Sequence, residues 1–205
     1  MATPETNSRL LGLDVARAIA IGGMALIHFA TVLSNKHFGD ALGWLIDKIA
    51  GRPAAAFMIL AGIGVSLQVL RSDNIPRRRL WRRGLFFLAI GYANLILWPA
   101  DILRVYGVAY LAAALLATLS TPKLWVAAGS LVPLFAALVF SINFETNWDF
   151  ETLHYENLWT LNGGLLNLFY NGFRAVLPWL SLFFLGMIIG RQDLRSSAVQ
   201  NKLIL

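Results

Sequence analysis

The chain gathers its apolar residues into runs long enough to cross the roughly 30 Å hydrocarbon core of a bilayer. These runs occupy 12–33, 53–70, 81–98, 102–120, 123–142 and 176–191. In lipid, backbone N–H and C=O groups must be bonded within the chain, so each run is expected as a helix rather than a strand. Composition agrees. Of the 205 residues, 58% are hydrophobic and 14% charged, which leaves more apolar surface than one soluble core of this size encloses. The expected fold is an all-α polytopic transmembrane bundle of six spans, forming one integral membrane domain over residues 1–205. Nothing before Leu10 reads as a cleavable leader, so the first run is expected to be retained as a span.

The breaks between runs are chemically distinct. Trp98-Pro99-Ala100-Asp101 divides the third run from the fourth, and Thr121-Pro122-Lys123 divides the fourth from the fifth. The longest polar stretch, "NFETNWDFETLHYEN" at 143–157, suits a loop outside the membrane. The segment "LLNLFYNGFRAVLPWL" either lengthens the sixth run or lies at the interface. Between the second and third runs, "RSDNIPRRRLWRR" carries six arginines. Basic residues in short loops favour the cytoplasm, so both termini are expected inside, with twelve of the seventeen basic residues at the inner edge. That arginine run has a second reading, a landing site for a phosphate-bearing donor. The net charge of +6 is concentrated there, which argues against nucleic acid as a partner and for a bilayer. The chain has no cysteine and only three histidines, so disulfides and thiolate sites are excluded and no metal is expected.

Ionisable groups inside a span usually face the bundle interior or a wet cavity. The first run, "LDVARAIAIGGMALIHF", holds Asp14, Arg17 and His28. On an ideal helix Arg17 and His28 lie about 20° apart in projection and about 16 Å apart along the axis, with Asp14 within about 60° of both. All three share one face. Further polar groups gather toward the opposite end of the bundle: Asn94, Asp101, Arg104, Asn171, Arg174 and Trp179, with His37 and Asp40 in the first outer loop. A neutral imidazole can accept a proton or carry an acyl group, and arginines and amides can hold a polar substrate or a developing oxyanion. Simpler roles also fit. Asp14 and Arg17 can form a helix-end ion pair, Asp101 can favour the start of a helix, and Gly62, Gly64, Gly186 and Gly190 can permit close helix packing.

The first-span pattern, an L-D-x-x-R followed by a His eleven positions after the Arg, resembles that of the acyltransferase type 3 proteins. It also resembles bacterial relatives of the heparan-α-glucosaminide N-acetyltransferase catalytic domain. The second likeness continues through "GRPAAAFMILAGIGVSLQ", "RRRLWRRGLFFLAIGYANLILWPADILRVYGVAYL" and "FYNGFRAVLPWLSLFFLGMIIGR", covering roughly residues 9–191. Ala18 stands where the motif usually has Gly. The resemblance implies a multi-pass protein of the bacterial inner membrane, moving an acetyl group from cytoplasmic acetyl-coenzyme A to a sugar, glycan or other small acceptor on the outer side. By position, His28 matches the type 3 histidine, and His37 is the nearest counterpart of the loop histidine of the heparan enzyme. His28 is therefore ranked first as general base or acyl carrier and His37 second. Asp14 and Arg17 are expected to organise the inner end of the site; Asn94, Asp101, Arg104, Asn171 and Arg174 are expected to bind substrate. The alternatives are a small-solute transporter or permease and a non-catalytic membrane partner. An oligomer is compatible with either reading.

Overall fold

The computed structural model describes residues 10–32, 40–72, 75–98 and 101–204. In chain order its elements are α1 (Leu11–Val32), α2 (Asp40–Ile49), α3 (Arg52–Leu70), α4 (Arg77–Asn94), α5 (Leu103–Leu116), α6 (Thr121–Ser141), strands β1 (Trp148–Asp149) and β2 (His154–Tyr155), α7 (Leu161–Leu166), a π-turn (Asn167–Asn171), α8 (Val176–Ile189) and α9 (Ser197–Ile204). Every apolar run thus contains a helix. Three stretches are long and apolar enough to span a membrane: Leu11–Ala30, Gly43–Leu70 and Thr121–Ser141. Leu161–Asn171 and Val176–Ile189 make a fourth when taken as one span bent by 48°.

Two expected runs differ in length. The run at 81–98 becomes α4, which begins in the arginines and unwinds after Asn94, whose carbonyl accepts from the amides of both Leu97 and Trp98. The run at 102–120 becomes α5, only 14 residues long. The all-α expectation is corrected at one place. Within 143–157 the chain forms a small antiparallel hairpin that pairs Trp148 with Tyr155 and Asp149 with His154. Asn147 precedes it and Asn157 follows it with positive φ of 67° and 57°, a conformation that asparagine adopts more readily than most residues.

α8 is the central post. It packs against α3, α6 and α5, while α4 pairs with α5 and α1 lies on α3. Apart from Ser181, α8 is apolar on every side, as expected of a helix surrounded by others. Phe183 and Met187 of α8 share the core with Met58, Val65, Leu80 and Val105. α3 and α8 touch backbone to backbone. A side chain on Gly62 would strike the Phe183 carbonyl, and one on Gly186 would strike the Ile59 carbonyl. The Ser66 hydroxyl closes the same seam by donating to the Met187 carbonyl at 2.5 Å. Small residues at a helix crossing bring helices together where lipid offers no hydrophobic drive.

Candidate functional site

α1 carries its polar groups on one face, as the helical spacing requires, and that face borders two adjoining cavities. Arg17 Nη1 donates to Asp14 Oδ1 at 3.0 Å. Both side chains line an inner chamber of about 760 Å³, together with Arg71 and Arg79 from the arginine-rich connection and Gln68 and Ser72 at the end of α3. Arg17 also lines a second cavity of about 550 Å³ deeper in the bundle, with Met24, Phe57, Arg83, Phe87, Tyr106 and Tyr110. Gly64 belongs to both walls. A Cβ there would come within 3.0 Å of the Arg17 guanidinium. Gly64 therefore makes room for Arg17 at the throat between the cavities, whereas Gly62, Gly186 and Gly190 serve helix packing.

His28 lies one turn beyond Met24, about 6 Å further along the axis. Its ring sits 6.1 Å from that of Trp98, in the turn that follows α4. Arg174 stacks over Trp179 at 5.0 Å and over Phe173 at 5.1 Å. The residues just before Trp98, Leu95 to Leu97, form a wall of a third cavity of about 470 Å³. Its other walls come from the hairpin and the segment after it, including Trp148, His154, Tyr155, Asn157, Trp159 and Asn167. His37 lies outside the described residues.

Other expected substrate ligands are bound up with the protein itself. Asp101 accepts from the Leu103 and Arg104 amides at 3.1 and 3.0 Å, from Asn94 Nδ2 at 3.2 Å and from Arg104 Nε at 3.4 Å. It therefore acts as the cap of α5. Arg104, only 1% exposed, donates across to Asn167 Oδ1 at 3.0 Å and packs over the Tyr92 ring. Asn171 is fully buried. Its Nδ2 donates to the Phe144 and Thr146 carbonyls, while its Oδ1 and carbonyl accept from the Tyr155 hydroxyl and the Trp148 indole. These residues fasten the loop and the π-turn to the bundle, so they shape the outer cavity from behind.

Sequence reading missed Gln68, Tyr106 and Tyr110. For Gln68 and Tyr106 the signal is orphaned polarity, which only the fold reveals. Among the described residues, the buried side-chain polar atoms that lack a hydrogen-bond partner are Gln68 Nε2, Trp98 Nε1 and Tyr106 Oη. Buried polar groups are seldom left unpaired. Gln68 borders the inner chamber, Tyr106 the deep cavity and Trp98 the imidazole of His28. Gln68 and Tyr106 thus stand on the walls of the two cavities that meet at Arg17 and Gly64, and Trp98 stands beside His28.

A helical bundle with membrane-length apolar helices and a charged chamber that adjoins a second, largely apolar cavity defines the class: a helical membrane protein with a polar site between its helices. The sequence comparison makes this particular. A family model described as heparan-alpha-glucosaminide N-acetyltransferase, catalytic, matches residues 9–203, and the chain belongs to that family of membrane acetyltransferases. No curated protein and no solved structure gives a significant match.

Proposed function

We propose that this protein is an acetyltransferase of the bacterial inner membrane that takes acetyl groups from cytoplasmic acetyl-coenzyme A and delivers them to a sugar-type acceptor on the outer face. The observation that carries the reading is the pair of cavities that meet at Arg17 and Gly64, one bordered by the orphaned Gln68 amide and the other by the orphaned Tyr106 hydroxyl. Family membership supplies the chemistry.

The residues present suit such a donor. Arg17, Arg71 and Arg79 surround the inner chamber, and guanidinium forks match phosphate oxygens. Beyond Gly64 the walls turn largely apolar and aromatic, as a thioester arm requires. When bound, the thioester supplies the acyl carbon: its C–S bond breaks as the bond to the acceptor nitrogen or oxygen forms, and the acceptor proton leaves through His28 toward the departing thiolate. His28 serves as the base, and Arg174 steadies negative charge at that end. Trp148, Trp159, Asn157 and Asn167 offer aromatic faces and amide groups to the acceptor at the outer cavity.

Purified full-length protein incubated with radiolabelled acetyl-coenzyme A and amino or hydroxyl sugars tests this reading. Transfer of label to the sugar is expected. Failure to bind or consume the donor, with solute uptake into proteoliposomes instead, would overturn it in favour of a permease.

A further inference from the structure

We infer that the Tyr106 hydroxyl is the hydrogen-bond donor that holds the carbonyl oxygen of an acyl thioester in the deep cavity. The inference rests on the acyl-transfer reading above and adds a positioning residue to it. Tyr106 is 3% exposed, and its hydroxyl has no partner among the described residues. Other tyrosine hydroxyls here do find partners. Tyr155 donates to Asn171 Oδ1 at 2.8 Å and Tyr170 to the Ile142 carbonyl at 2.5 Å.

The Tyr106 ring is held on two sides by other rings. Phe57 packs against it edge-on at 5.5 Å between centroids and Phe87 at 5.9 Å. A phenol fixed in place, buried and unbonded lowers stability unless something else completes it. The walls of the cavity indicate what that is. Its charged groups, Arg17 and Arg83, are both cations and hydrogen-bond donors, and among the described residues no carboxylate lines it. A cavity furnished with donors and apolar rings selects a ligand with an acceptor oxygen on an otherwise apolar arm. A thioester carbonyl meets that description, whereas an amine does not. Arg83 donates to Gln68 Oε1 at 3.2 Å, which links it to α3.

The test uses the full chain in detergent and two probes, coenzyme A and S-acetonyl-coenzyme A, a ketone analogue that carries the carbonyl but cannot transfer it. Wild type is expected to bind the ketone about tenfold more tightly than coenzyme A, the increment of one well-made hydrogen bond in a buried site. Tyr106→Phe should abolish that preference, leave coenzyme A binding unchanged, and leave the unliganded thermal midpoint equal or higher. Infrared spectra of the ¹³C-carbonyl analogue should show a lowered stretch in wild type that returns toward the free value in the variant. A variant that keeps the tenfold preference, or a wild-type stretch that does not move, would overturn the inference and leave the acyl-transfer reading standing. So would a lowered midpoint with preference retained, which marks a structural hydroxyl. Wild type that binds neither probe would overturn both.

Discussion

At the scale of single residues, exposure separates two ion pairs that look alike in sequence. Asp14–Arg17 and Asp101–Arg104 share the same i,i+3 spacing. The first is open to the inner chamber, its Arg17 and Asp14 side chains 37% and 48% exposed, and such pairs contribute little stability, at most about 1 kcal/mol. Arg17→Ala should therefore unfold at nearly the wild-type temperature yet lose affinity for coenzyme A, which calorimetry on the purified variant would reveal. His28→Ala should keep its fold and lose about 10²–10⁴-fold in transfer rate, the usual contribution of a general base. Full turnover in that variant, with loss in His37→Ala, would reverse the ranking of the two histidines.

Asp149 gives a pH-dependent case outside the membrane-spanning segments. Its carboxylate accepts from the Thr152 hydroxyl at 2.7 Å and from the Thr152 and Glu151 amides. Those hydrogen bonds, the Thr152 hydroxyl foremost, hold its pKa below the ordinary carboxylate value. A depressed folded pKa means that the hairpin turn is fully supported above about pH 4 and loses this support as the pH falls through the lowered value. Trp148, stacked on Phe150 within the same loop, is the reporter. Its fluorescence should change on acidification in wild type and stay flat in Asp149→Asn.

At the scale of elements, the buried pair and the α3–α8 seam set the shape of the cavities. Arg104→Met strands the Asp101 carboxylate in a site where both partners are 1% exposed, and breaking a buried pair costs about 3–5 kcal/mol. The variant should show a large drop in thermal midpoint, and Asp101→Asn should show one too, since it leaves the buried Arg104 guanidinium without its counter-charge. Gly186→Val should cost about 1–3 kcal/mol by forcing α8 away from the Ile59 carbonyl, measured by the same melt. Sequence periodicity located these helices because apolar runs interrupted by proline or polar residues carry their own boundaries. The start of α4 was less legible, since arginines that favour helix also favour the aqueous edge. The hairpin was illegible for another reason. Asn171 fixes it through carbonyls 25 and 27 residues away, and no local pattern encodes contacts at such distances. Asp14, Arg17 and His28 were legible as one face because that face depends only on helical geometry. Tyr106 was not, because a tyrosine in an apolar run looks like core until its hydroxyl is found without a partner.

At the scale of the whole molecule, the arrangement requires a definite orientation. Reporter fusions after Ser72 and after Asn147 should report cytoplasmic and external locations respectively. The same side for both would overturn the six-span expectation and the proposed donor-to-acceptor direction together.

α1, which carries Asp14, Arg17 and His28, rests mainly on α3, while Leu11, Val15, Ile19 and Phe29 face outward. Among the described residues nothing covers that far side, and in a bilayer lipid would face it. The acyl chains of neighbouring phospholipids become, in effect, the missing neighbour that presses the reactive face into place. Their length and order should tune turnover directly, so the protein would work best in a bilayer of matched thickness and slow in short-chain detergent well before it melts.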